Sequence, residues 1–123
     1  MLTIDVEKSG DVAMVRCVGR LVRGEKIRSL LQAVFSEKDT RMVVLDLSGL
    51  ETLDGGGLAA LLSLRQWALD RKVQLKLVNL SHFVREILGR TRLDRVFEIS
   101  TLDRVIYALA GNNCQRANHA ARA

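Results

Sequence analysis

The chain has 123 residues, 48% of them apolar and 27% charged, with a formal net charge of +5. That length suits one domain with a sizeable core, and no stretch approaches the roughly 20 consecutive apolar residues of a membrane span. With no basic-then-apolar leader, and with Cys17 and Cys114 at no metal-ligand spacing, the expectation is a cytoplasmic protein without a disulfide or a bound metal.

In chain order, Leu2 to Val6 alternates with polar neighbours, Lys8-Ser9-Gly10-Asp11 forms a turn cluster, and Val12 to Val18 alternates again. These are two strands joined by a tight loop, the second closed by Gly19. From Glu25 to Phe35 the residues Ile27, Leu30, Leu31 and Val34 fall at helical spacing. After a loop at Lys38-Asp39-Thr40, Met42 to Leu47 is an almost unbroken apolar run, as in a strand covered on both faces. Asp54 and three consecutive glycines, Gly55, Gly56 and Gly57, then open a helix to about Asp70. Val73 to Val78 is a strand near an edge, with Gln74 and Lys76 pointing outward. Ser81 caps a helix to about Leu88, Val96 to Ile99 is a short strand, and Thr101 caps a last helix holding Val105, Ile106 and Leu109. No periodicity buries a face after Gly111, so 1–111 is the expected domain and 112–123 a flexible tail. Two strands followed by alternating helix and strand predict a single α/β domain. Its mixed, mainly parallel sheet would have about five strands, with about four helices.

Three glycines at a helix start each cost about 1 kcal/mol relative to alanine if helical. Asp54 offsets this as N-cap, its carboxylate taking free amides of the first turn. The glycines serve either a tight turn with close packing or a bare surface loop that a partner can approach. A phosphate-binding enzyme does not fit: the spacing matches no nucleotide motif, no lysine follows, and Asp54 repels phosphate. A nucleotide sensor built on the helix N-terminus stays as a lesser alternative. Along the helix, Leu58, Leu61, Leu62 and Leu69 share a face, which Ala60, Leu64 and Trp67 widen. Trp67 either folds over the sheet edge as core or joins Leu64 in a docking or homodimer surface. Arg65 lies inside that arc, so its stem should be buried with its head reaching out.

Catalytic constellations are missing from the pattern. His82 and His119 have no partner near in sequence, while Asp46 ends a buried strand and Asp54 caps a helix, so no enzyme activity and no cofactor are expected. Arg16, Arg20, Arg23, Lys26 and Arg28 form one basic stretch and Arg85, Arg90, Arg92 and Arg95 another. Without interleaved aromatics they suit a solvated or protein-facing surface rather than nucleic acid.

Asp46-Leu47-Ser48-Gly49, then Asp54 and Gly57-Leu58, carry a resemblance to the sulfate transporter and anti-sigma factor antagonist (STAS) domain. Asn79-Leu80-Ser81 with Val84-Arg85 and Ile87-Leu88, followed by Leu93 to Ile99, extends it over roughly Thr3 to Ala110. In bacterial anti-sigma factor antagonists of this family, a serine phosphorylated by the anti-sigma kinase stands where this chain has Gly56. The resemblance implies a non-enzymatic regulator that binds an anti-sigma factor or related regulatory kinase and stays in the dephospho-like, binding-competent form. Asp54, Gly55, Gly56, Gly57, Leu58, Leu64, Trp67, Arg20 and Arg23 would form its partner surface. Two departures stand out. The family's acid after the second strand is replaced by the basic Gly19-Arg20-Leu21-Val22 surroundings, and its Thr-Gly-Leu by Thr91-Arg92-Leu93. If position 92 needs a positive φ, arginine there costs about 1 kcal/mol. The alternative implied by the resemblance is a cytoplasmic accessory subunit of an ABC-type lipid transporter, near the membrane only through that partner.

Overall fold

Right-handed crossovers dictate where the helices go. In the computed structural model, which describes residues 2–24, 27–36, 39–101 and 105, the strands follow one another across the sheet in sequence order. They are β1 (Leu2–Ser9), β2 (Val12–Leu21), β3 (Met42–Leu53), β4 (Gln74–Val78) and β5 (Glu98–Ser100). The β1–β2 hairpin is antiparallel and the other three pairings are parallel. Three successive crossovers in one direction put α1 (Ile27–Phe35), α2 (Gly55–Arg71) and α3 (His82–Arg90) on the same face. The predicted single α/β domain with a mixed, mostly parallel five-stranded sheet is what forms.

The core lies between that face and the helices. Ala13, Val15, Cys17 and Leu21 alternate inward from β2, Val43, Leu45 and Leu47 from β3, and Leu75 and Leu77 from β4. They meet Leu30 and Val34 of α1, Leu61 and Leu64 of α2, and Val84 and Leu88 of α3. The opposite face carries a smaller cluster, Met42, Val44 and Val78, packed on Val105. This explains the unbroken apolar run of β3: both of its faces are covered. Cys17 is buried and free, and burial, then the Asp46 charge, push its thiol up to about 12.

Several boundaries differ from the sequence expectation. β3 does not end at Leu47 but continues to Leu53 by way of two irregularities against β2, where pairing slips between Arg16 and Val18 and between Gly19 and Arg20. Such bulges shift the inward phase, here from Leu47 to Leu50 and Leu53, so strict alternation lapses while the strand goes on. Asp46 therefore lies within the strand, and its carboxylate braces the first bulge by accepting from the Ser48 amide at 3.0 Å. The last strand starts at Glu98 rather than Val96, because Leu93–Arg95 wind into a 3₁₀ turn first. β4 is second from the edge, and its Lys76 pairs with Glu98 of edge strand β5. Helix α3 runs two residues beyond Leu88, to Arg90. Of the expected last helix only Val105 is described, its amide donating to Thr101 O at 3.1 Å. Residues 25–26, which began the expected first helix, and the expected tail 112–123 lie outside the described residues.

Candidate functional site

The glycine loop sits where β3 leaves the sheet and α2 begins. Asp54 is extended (φ −117°, ψ −171°) and caps α2, accepting from the Gly57 amide at 2.9 Å. Its two carboxylate oxygens also accept from the main-chain N–H of Arg23, each at 3.1 Å. These bonds from Gly57, then Arg23, hold the carboxyl below the usual carboxylate range, further helped by the Gly56 amide and the Arg23 charge. One side chain thereby starts the helix and ties down the loop that follows β2.

The three glycines do different jobs. Gly55 is exposed, and a Cβ there would meet nothing within 4 Å. Gly56 is half-buried: a Cβ would press on Arg23, 3.0 Å from its Cβ and 3.1 Å from its main-chain N. Gly57 is buried, and a Cβ would overlap the carbonyl oxygen of Leu21 and lie 2.6 Å from Leu53 Cδ1. Only Asp54 and Gly55 of the loop are freely exposed. The sequence missed the structural role of Leu21 and of the Arg23 main chain. Neither carries a side-chain signal, because the contacts are to backbone atoms more than thirty residues away.

The other expected site residues divide. Arg20 and Arg23 are exposed at the rim beside the loop, and Leu58 is half-buried against the core. Leu64 is fully buried and belongs to the core, so it presents nothing to a partner. The reason is the phase of α2. Its inward stripe is Gly57, Ala60, Leu61, Leu64 and Ala68, which turns Leu62 and Leu69 out to 38% and 55% exposure instead of onto one face with Leu61. Trp67 lies half-buried against the main core, as the first of its two expected roles has it, with its ring tilted 31° against that of Phe35 of α1 at 5.7 Å and its Nε1 sealed and without a hydrogen-bond partner among the described residues. Arg65 is half-buried as expected, and its Nε donates to the Val96 carbonyl at 3.1 Å. Arg92 takes the positive φ anticipated for it, 60°, at the entrance to the 3₁₀ turn. Ser81 caps α3 by accepting from the Val84 amide at 3.3 Å.

No group of three or more metal-ligating side chains occurs among the described residues, and no described helix is long and apolar enough to cross a membrane. The sequence profile of the STAS domain matches residues 3–106. The chain belongs to the STAS domain family. Solved STAS relatives share the architecture. An anti-sigma factor antagonist from Mycobacterium paratuberculosis is 25% identical with a TM-score of 0.75, the match covering 88% of this chain and 93% of that one. An anti-sigma-factor antagonist (STAS) domain protein from Planctomyces limnophilus is 24% identical, TM-score 0.70, covering 87% and 97%. The Bacillus cell fate determinant SpoIIAA, solved in its phosphorylated form, is 16% identical, TM-score 0.64, covering 87% and 99%. This STAS domain is thus of the anti-sigma factor antagonist-like type, a non-enzymatic class.

Proposed function

We propose that this STAS domain occupies an anti-sigma factor or a related regulatory kinase through the Asp54–Gly57 loop and the start of α2, and that it cannot be switched off by phosphorylation there. The observation carrying this is position 56. Glycine offers no hydroxyl, and the Arg23 main chain closes on the space its side chain would use. Phosphate on a relative's loop adds nearly two negative charges at an interface, which expels a partner by repulsion and desolvation. Without an acceptor, control passes to abundance or to the state of the partner. Asp54 and Gly55 stay exposed and supply the accessible part of the platform, with Arg20 and Arg23 at its rim.

Two measurements test this. Incubation with anti-sigma kinases and ATP, followed by intact mass, is expected to add no phosphate to the loop; phosphate on residues 52–57 overturns the proposal. Affinity capture from native lysate compares wild type with G56D and G55D. G55D is the cleaner arm, because its side chain meets open space and adds only charge. Both substitutions should empty the bait of its specific partner. A captured ATP-binding transporter subunit instead of a sigma-factor regulator would favour the transporter-accessory alternative.

A further inference from the structure

The rim of the glycine loop is basic. Arg20, at the end of β2, Arg23, in the loop after it, and Arg28, in the first turn of α1, are all exposed. Among the described residues none of these three guanidinium groups forms an ion pair, whereas Arg16, Arg41, Lys76 and Arg90 each do. Arg28 also stands at the wrong end of its helix for a cation, since the macrodipole favours acids there and the described first turn of α1 contains none. Arg23 acts on Asp54 through its charge, and among the described residues Arg20 and Arg28 have no ion-pair partner, so this end of the sheet presents cationic heads to solvent.

Arg23 is placed as well as charged. Its main chain is pinned by Asp54 and packs on Gly56, so its side chain leaves from a fixed point of the backbone beside the bare loop. We infer that the surface docking on this loop is an acidic protein patch, whose carboxylates meet Arg20, Arg23 and Arg28 while its backbone or small side chains approach Gly55. A protein patch fits better than a polyanion because the same rim exposes Glu51 and Asp54. Regularly spaced phosphates would meet those two carboxylates in like-charge contact, whereas a protein surface can pair both signs. Arg85, Arg92 and Arg95, which also form no ion pair among the described residues, lie on the α3 and 3₁₀ segments, away in sequence from the loop, and serve as an internal control.

This inference rests on docking at the loop. The full-length, isotope-labelled chain is titrated with a glutamate-rich helical peptide and, in parallel arms, with oligothymidylate and phosphatidylglycerol vesicles. Amide shifts should centre on Arg20, Arg23 and Gly55, and R20E/R23E should weaken the peptide at least about tenfold at low salt while R92E/R95E leaves it unchanged. Charge reversal at Arg23 keeps the main-chain N–H that serves Asp54, and thermal melts of R20E/R23E check that the fold is retained. Equal loss with R92E/R95E, no shifts at the loop, or tighter binding of DNA or vesicles to the same amides overturns the inference. Failure of the G55D capture test removes the docking proposal instead. A captured partner whose association rate ignores R20E/R23E removes only the acidic-patch inference.

Discussion

The Arg23 main-chain N–H lies between the two carboxylate oxygens of Asp54, 3.1 Å from each, and joins segments 31 residues apart. The same carboxylate caps α2, so helix initiation and closure of the β2–α1 loop depend on one side chain. D54A is expected to lower the urea midpoint clearly and to expose the Arg23 amide to hydrogen exchange. R23A keeps the bond and should shift the midpoint little. Equal midpoints for the two variants would contradict the clasp.

Restoring a hydroxyl is not expected to restore a switch. In G56S the new Cβ meets Arg23 atoms at 3.0–3.2 Å, tighter than ordinary contact. Overpacking of this kind costs about 1–3 kcal/mol, the lower end applying where a surface loop can yield. G56S should therefore be less stable than wild type and a slow phosphoryl acceptor. Thermal melts and intact mass after incubation with kinase and ATP check both halves.

Neighbouring glycines should respond in opposite ways to alanine. G55A meets open space in the first turn of a helix, where alanine gains up to about 1 kcal/mol over glycine. G57A drives a methyl into the Leu21 carbonyl and against Leu53, both backed by core, and should cost at least about 3 kcal/mol or prevent folding. Chemical denaturation of the pair gives the contrast directly.

Trp67 supplies a sharper test of packing against polarity. Its ring packs on Phe35 while Nε1 is buried without a partner among the described residues. W67F keeps an aromatic on Phe35 and deletes the orphan donor, whose burial costs about 1–3 kcal/mol. The loss of area and the relief should nearly cancel, leaving W67F within about 1 kcal/mol of wild type. W67A, which forfeits the ring contact as well, should lose about 3 kcal/mol or more. A large loss in W67F would show that the indole nitrogen has a partner in solution.

Asp46 predicts the direction of acid sensitivity. Burial pushes its carboxyl up, but the Ser48 amide and hydroxyl, the Asn79 side chain and the Arg16 charge outweigh this and leave it below the ordinary 3.8. A carboxyl depressed in the folded state contributes stability that is complete above its unfolded value and lost as pH falls through the folded one. Wild type should thus hold this contribution above about pH 5 and lose it on acidification below 3.8. D46N should show a shallower decline over that range in urea melts at stepped pH.

Period and punctuation made most elements legible. The alternation at Ala13, Val15 and Cys17, the apolar run from Met42 and the caps at Asp54 and Ser81 are local signals, and each element formed where those signals stood. What failed was non-local in cause. The end of β3 was hidden because its bulges are defined by pairing with β2, and a bulge erases the period that sequence inspection relies on. The phase of α2 was misjudged because leucines occur on two sides of the helix, and only the sheet decides which side is in.

By itself the chain determined that an acid and three glycines open a helix after a buried strand, and that no hydroxyl stands at position 56, because those are matters of covalent composition. Tertiary structure alone decided that Leu64 is core, that Trp67 leans on Phe35, and that the Arg23 backbone closes over Gly56. These depend on main-chain atoms and helix faces brought together from distant segments, and backbone amides and carbonyls are the same at every residue but proline, so no residue type announces them.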